Sequence, residues 1–522
     1  VPEASITVAL QGSTNGQHNV RVTLNGTLLG NMQFISTESY SRTFVIPTSL
    51  LVDGANSLQL DTTTLGDFAW VDKTTVNYAK LYKASLNQAT FPTLNLKETR
   101  VPGFDSPNIR VFDITDTEPK LLFGPSVVAN GATFDAVIPS GRPRLMYAVA
   151  DTGLLSPVAI TQNIPSTISQ SPRNTDMIIL SHKNFINEAN TWANYRRGQG
   201  LTVDVFDVED VYDEFDFGSP STNAITALAR HARDTWTIVP KYLLLVGDAT
   251  YDPRNYENRP VDHNYIPSKF VDTSYRDAAS DEALGDLNND AVSEIPIGRL
   301  PVRDAATIGL LLNKVTTFEQ TVSTALMTRG ALFVADGPNG YDFVGVNTRL
   351  RAFLPTAMPA TFINRTWPGN TTTDNAGRTQ IIAAANNGPF LVNYSGHGSA
   401  GIWATSSFFS LNEVPQINGN SNSLSMYLML TCLNGFFVST TNESLAELLF
   451  KSSFGGGAMA WSSTALTTPD IQEIMASKFF LSVGQGTFPR IGEAIRDSKL
   501  NAPNRDVPYT WVLIGDPALK IR

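Results

Sequence analysis

Phe390-Leu-Val-Asn-Tyr-Ser-Gly-His-Gly398 and Leu424-Ser-Met-Tyr-Leu-Met-Leu-Thr-Cys-Leu-Asn-Gly435 are the two stretches whose reading decides the fold. Each opens with a short apolar run that reads as a buried β-strand. The first run delivers His397 between two glycines. The second delivers Cys432, the only cysteine among 522 residues. A thiol and an imidazole therefore emerge from the carboxyl ends of two neighbouring strands. In open α/β sheets, chemistry collects at such ends. A Cys–His pair is the minimal equipment for thiolate attack on a carbonyl.

Outward from these strands the chain alternates between strand and helix. Strands are expected at 177–180, 201–206, 242–246, 331–335 and 457–461. Helices are expected at 186–198, 222–236, 347–354, 377–385 and 443–451. Such alternation predicts a mainly parallel sheet covered by helices. We read two tandem α/β subdomains, 175–320 and 321–522, with no sequence repeat between them.

Before residue 162 the period changes to two. Ile6-Thr-Val-Ala-Leu10 and Val20-Arg-Val-Thr-Leu24 alternate as half-buried strands do, and Asn25-Gly26 marks a hairpin. Residues 1–84 are expected to form a β-sandwich or jelly roll, and 85–168 a second β region. The Pro-containing stretch 162–174 reads as a linker.

Length alone predicts three or four domains of roughly 150 residues. The net charge of −10, without a basic run, argues against a nucleic-acid partner. No apolar run is long enough to span a bilayer, and no signal peptide is visible at the first residue. The start at Val1 suggests a processed or trimmed product. A single cysteine excludes an intramolecular disulfide and a Cys-based zinc cage. Few Lys and many Thr, Ser and Asn suggest an exported bacterial protein.

The other histidines are His18, His182, His231 and His263, and none has a glycine on each side. Glycines let backbone N–H groups approach a reacting oxygen, because no Cβ blocks the path. The plain alternative makes Cys432 a small buried hydrophobe and His397 a turn residue. There is no His-Glu-x-x-His motif, no Gly-x-Ser-x-Gly elbow and no Gly-rich phosphate loop followed by Lys. The loop Asp286-Leu-Asn-Asn-Asp290, with Glu294 after it, sets oxygen ligands at alternate positions as calcium loops do. Ala291 stands where such loops carry Gly, and the alternative is a solvated turn. Asp281 and Glu282 could complete either arrangement, and Asp248 is a further candidate ligand.

Residues 175–522 resemble the gingipain family of cysteine peptidases, in the clan of caspases, legumain and separase. The resemblance rests on Leu391-Val-Asn-Tyr-Ser-Gly-His-Gly-Ser399, Thr431-Cys-Leu-Asn-Gly435, Thr510-Trp511 with Gly515-Asp-Pro-Ala-Leu519, residues 242–248, and Ile297-Gly-Arg299. It implies a caspase-like catalytic unit. It also implies Cys432 as nucleophile, His397 as general acid/base, and the N–H groups of Gly398 and Cys432 as oxyanion hole. Asp336 falls where the family has an acidic residue supporting the histidine; the alternative is a turn or cap. Asp342 falls where the family places a carboxylate at the bottom of its S1 pocket; the alternative is an N-cap. The aromatic wall of that pocket has no obvious counterpart in 462–469. Structural calcium at Asp286, Asn288, Asp290 and Glu294 is likewise in keeping with the family.

The resulting expectation is a secreted or cell-surface bacterial cysteine endopeptidase. It would take peptide or protein substrates, cleave after Arg or Lys through a thioester, and need no catalytic cofactor. Two rivals are a sortase-like transpeptidase of the same family, and an inactive scaffold used for binding or adhesion.

Overall fold

In this computed structural model the described residues are 3–123, 125–160, 162–170, 172–404 and 408–522. They fall into two compact units, Val1–Ile164 and Pro165–Arg522.

The first unit is all-β and holds two separate cores. One is shared by two three-stranded antiparallel sheets, Ser39–Ile46/Ala4–Gly12/Ala69–Asn77 and Thr27–Ile35/Gln17–Leu24/Leu58–Thr62. Ile6, Val8, Val20, Val22, Met32 and Phe34 fill it. Asn25 and Gly26 take φ of 47° and 83° and set Leu24 opposite Thr27, a two-residue turn whose twist suits the hairpin. His18 points inward, with Nδ1 on the Asp67 carboxylate and Nε2 donating to the Ser36 carbonyl at 2.8 Å. That histidine is structural. A second pair of sheets, built from strands between Gln88 and Ala150, encloses Phe91, Val101, Phe104, Val111 and Met146.

The expected linker 162–174 is, from Pro165 on, part of the second unit. Ile168 is buried beside Phe206, and the Glu214 carboxylate accepts from the N–H groups of Ile168 and Ser169 at 3.1 and 2.7 Å. Ser166 donates its hydroxyl to the same carboxylate. The prolines mark a break in regular structure, but the chain beyond Pro165 is anchored by these long-range contacts, which no proline signals. The boundary at 168 therefore moves to 164.

The second unit is built on a ten-stranded sheet. In chain order its strands are β1 (Met177–Ser181), β2 (Val203–Asp207), β3 (Tyr242–Val246), β4 (Ile297–Leu300), β5 (Ala331–Ala335), β6 (Ala360–Asn364), β7 (Leu391–Ser395), β8 (Ser425–Leu430), β9 (Gly457–Ser463) and β10 (Trp511–Ile514). Across the sheet they run β2-β1-β3-β4-β10-β9-β8-β7-β5-β6. The last strand is the seam. It pairs in parallel with β4 at Arg299↔Ile514 and antiparallel with β9. Since β1–β4 are mutually parallel and so are β5–β9, the two sets run in opposite directions.

The expected division at 320 falls inside the helix Ala305–Arg329. Ile308, Leu311, Val315, Phe318, Val322 and Ala325 recur at spacings of three and four and share one core, so the helix continues through that point. Every residue of β7 and β8 is buried. That explains their near-continuous apolar character, because both faces of a parallel sheet are covered. Among the described residues, no helix is long and apolar enough to cross a membrane.

Candidate active site

Register brings the two chemistry-bearing residues together. In the β7–β8 pair Ser395 lies opposite Leu430, and Gly396 donates to the Leu430 carbonyl at 3.2 Å. His397 and Cys432 each stand two residues beyond that pair, at the same end of adjacent strands. Both flanking glycines are required by space. A Cβ on Gly396 would sit 2.4 Å from the Tyr394 hydroxyl, and one on Gly398 would sit 2.6 Å from Thr431 Oγ1.

The nucleophile turn is tight. Leu433 takes φ 61° directly after Cys432, a left-handed conformation that costs an L-residue on the order of 1 kcal/mol. The Leu433 N–H donates to the Ala465 carbonyl at 3.1 Å, and the Gly435 N–H to Ser463 at 2.8 Å, tying the turn to the end of β9. Asn434 is fully buried and staples this turn to the histidine loop. Its amide donates to the Ser399 carbonyl at 2.5 Å and accepts from Trp403 Nε1 at 2.8 Å. The N–H of Cys432 has no acceptor among the described residues, which leaves it free for an oxyanion.

Cys432 is half-buried, and its Sγ lies 3.4 Å from the Thr467 N–H and 3.5 Å from the Thr467 carbonyl. Burial pushes the thiol pKa up, against opposing contributions from Thr467 and Arg276. His397 Nε2 lies 2.9 Å from the Asn339 carbonyl, so Nε2 carries a proton and Nδ1 is the nitrogen left for exchange. The Phe343 ring meets the imidazole edge-on at 5.3 Å. No hydrogen bond joins Cys432 to His397 among the described residues.

The histidine's backbone is clamped from both sides. Tyr394 donates its hydroxyl to the His397 carbonyl at 2.6 Å while stacking on Trp403 at 4.4 Å. Asp336, directly after β5, accepts from the His397 N–H at 3.3 Å. Its other oxygen accepts from Gly337 N–H at 2.7 Å and from Arg365 at 3.0 Å. Arg365 in turn forks onto Asp374 at 2.9 and 3.0 Å. Asp336 thus supports the histidine through the main chain and not through the ring.

Asp342 is not at the base of a buried pocket. Its side chain is 68% exposed, caps the helix Phe343–Ala352 by accepting from Gly345 N–H at 2.9 Å, and lies 3.8 Å from Arg349. A carboxylate one residue before a helix is drawn to the free N–H groups of the first turn, which is the capping alternative. It still neighbours the site, being adjacent in chain to Phe343. The carboxylate of Glu473 also lies on this side, holding Tyr341 at 3.0 Å and Arg349 at 2.5 Å.

At the acidic loop, carboxylate oxygens of Asp286, Asp290 and Glu294 come within 4.8 Å of one another. Glu294 Oε1 is buried with no hydrogen-bond partner. Asn288 serves the turn instead of the cluster, accepting from Asp290 N–H at 2.9 Å and donating to Asp290 Oδ2 at 3.0 Å. Ala291 takes φ 75°, the conformation for which calcium loops use Gly. Asp281 and Glu282 are committed elsewhere, to Arg299 at 2.7 Å and to Lys499. Asp248 is fully buried and paired with Arg303 at 2.6 Å.

Tyr394, Arg365, Asn339, Thr467 and Arg276 were not singled out from sequence. Tyr394 lay inside the quoted motif, but nothing in the pattern marked its hydroxyl. The others reach the site from separate loops.

A family model described as Peptidase family C25 matches residues 170–522. Gingipain R1 of Porphyromonas gingivalis is 25% identical over 374 residues, covering 68% of this chain and 35% of the relative. Gingipain R2 of Porphyromonas gingivalis strain W83 is 25% identical over the same length, covering 47% of the relative. The chain therefore spans between about a third and about half the length of these curated relatives. Among solved structures, the Arg specific cysteine proteinase gingipain R superposes with a TM-score of 0.56 at 22% identity, over 69% of this chain and 80% of that one. Dimeric latent PorU from Porphyromonas gingivalis matches with a TM-score of 0.56 at 16% identity, over 100% of this chain and 48% of that one. These likenesses show the caspase-like fold.

Proposed function

The chain belongs to peptidase family C25, and from that premise we propose that it is a cysteine endopeptidase working through a thioester on Cys432. The observation that carries this reading is the register: His397 and Cys432 stand side by side beyond Ser395↔Leu430. Sγ attacks the scissile carbonyl. The oxyanion is met by the N–H groups of Cys432 and Gly398. The imidazole, its Nε2–H spent on Asn339, uses Nδ1 to move the thiol proton to the leaving amine. Water then resolves the thioester, with the same nitrogen taking the proton. Burial pushes the Cys432 pKa up, and no hydrogen bond joins Sγ to the imidazole among the described residues, so in this reading thiolate forms at the moment of attack.

Cleavage after a basic P1 residue is the finer part of the reading. Its support is the relatives named gingipain R, one described as Arg specific. Asp342, exposed beside Phe343, offers a carboxylate at the rim of the site. A rim charge discriminates less than a buried one, because water screens it. Calcium belongs to this reading as a structural ion at Asp286, Asp290 and Glu294. Three converging carboxylates and the orphaned Glu294 oxygen suit a hard, oxygen-seeking cation. A secreted or cell-surface location accords with the Thr-, Ser- and Asn-rich composition.

The test is covalent labelling by an arginyl chloromethylketone, followed by intact mass and peptide mapping. One adduct on Cys432, lost in Cys432→Ala, is the expected result. No adduct on Cys432, or peptide cleavage surviving in Cys432→Ala, rejects the reading.

A further inference from the structure

Arg276 sits in the hairpin between Lys269–Val271 and Ala278–Ser280. That hairpin is pinned against the active site. Thr464, at the start of the loop that carries Thr467 to Cys432, donates its hydroxyl to the Ala279 carbonyl at 2.6 Å. Ser280 donates to Tyr509 at 2.6 Å, and Ser274 N–H to Asp506 at 3.0 Å. The guanidinium carbon of Arg276 then lies 5.7 Å over the ring of Phe436, four residues beyond the nucleophile.

This arginine differs from the other enclosed arginines of the unit. Arg196, Arg299, Arg303 and Arg365 each hold a carboxylate at 3.0 Å or less. Arg329 gives its donors to the carbonyls of Gly388, Pro389, Ser423 and Leu424. The half-buried Arg276 guanidinium has no acceptor among the described residues, and burial depresses its pKa, opposed only by Cys432 in its ionised form. A partly desolvated cation without an anion is costly, and an anion that docks on it relieves the cost. The planar fork of donors fits both oxygens of a carboxylate. A transient thiolate is a single acceptor and leaves most of the fork unused.

We propose that Arg276 is a specificity residue that docks a substrate carboxylate next to the scissile bond, supplied by an Asp or Glu side chain or by a free chain terminus. This rests on Cys432 being the nucleophile and adds a second requirement to the P1 preference.

The experiment uses peptide pairs with Arg at P1. Members differ by Glu against Gln at P2, P1′ or P2′, or by a C-terminal acid against an amide two residues beyond the bond. Each pair is compared for kcat/KM on the wild-type chain, Arg276→Met and Arg276→Lys. The same pairs are measured as equilibrium binding to Cys432→Ala, so the answer does not depend on turnover. One position is expected to favour acid over amide by roughly tenfold or more, the scale of one charge-assisted hydrogen bond. Which pair responds tells side chain from terminus. The ratio should fall to about one in Arg276→Met and be partly kept in Arg276→Lys, which retains the charge without the fork. A ratio near one at every position in the wild type, or a preference that survives Arg276→Met, overturns the proposal. So does an equal loss on acid and amide substrates with the iodoacetamide pH profile of Cys432 moved upward, since that places Arg276 on the thiolate alone. Labelling of Cys432 by the chloromethylketone separates failure of this proposal from failure of the peptidase reading.

Discussion

The two halves of the ten-stranded sheet place polar residues at the same kind of position and use them differently. Beyond β1 stands His182, and beyond β3 stands Asp248. Beyond β5, β7 and β8 stand Asp336, His397 and Cys432. In the first half these groups are consumed. His182 Nδ1 accepts from Asn184 N–H at 3.3 Å as a helix cap, and Asp248 is buried on Arg303. In the second half the imidazole keeps one nitrogen open, and the Cys432 N–H stays without an acceptor among the described residues. Opposite strand directions also send the carboxyl ends of the two halves to opposite edges of the sheet. A strand end is therefore a place where a site can form, and unsatisfied groups on adjacent registers are what make one.

The largest test of this contrast exchanges the histidines. His397→Ala should lower kcat/KM for peptide cleavage by roughly 10²–10⁴-fold, the usual reach of a general acid/base. His182→Ala should change it by less than threefold. Comparable losses from both would erase the distinction between the halves.

Next come the buried carboxylates. Arg365→Met frees Asp336 to reorient and loosens the His397 backbone. It should lower kcat roughly 10- to 100-fold, in line with losses from misplaced catalytic groups, with KM little altered. Asp248→Asn should instead act on stability. Breaking one partner of a buried pair costs on the order of 3–5 kcal/mol, visible in denaturant unfolding, while folded enzyme still labels at Cys432. Loss of activity without loss of stability in Asp248→Asn would show that the first half also does chemistry.

Specificity should respond less. Asp342→Asn is expected to reduce kcat/KM after Arg by no more than about tenfold, because exposed charge pairs are typically worth about 1 kcal/mol or less. A loss of several hundred-fold would mean that substrate closes the site over Asp342.

The reactivity of the free thiol gives a further reading. A pKa raised by burial means the thiolate fraction grows only above the ordinary thiol value of about 8.5. Iodoacetamide alkylation of Cys432 should accordingly stay slow near neutral pH and rise at alkaline pH. Fast alkylation at pH 6 would indicate a standing thiolate–imidazolium pair.

The smallest expected effect concerns the acidic loop. Millimolar calcium should raise Tm by about a degree or two, since a ligand that binds only the folded state, present at a few times its Kd, adds roughly 1 kcal/mol. Glu294→Gln should reduce that gain. A Tm indifferent to calcium and to chelator would leave the loop a turn closed by its own hydrogen bonds.

By itself the sequence determined the α/β class, the all-β amino-terminal region, and the positions of His397 and Cys432. These depend on local periods and on residues adjacent in chain, such as Gly-His-Gly after an apolar run. The reach of Asp336 to a backbone N–H, the capping of a helix by Asp342, and the approach of Arg276 and Thr467 to the nucleophile were decided by tertiary structure. So was the single sheet, whose central strand β10 comes from the chain's far end and joins both halves. Each of these depends on which loops meet after strands pair across more than a hundred residues, and no local pattern of apolar and polar residues encodes that meeting. A carboxylate's sequence neighbours say that it sits in a turn; only the packed fold says which N–H or guanidinium it finds there.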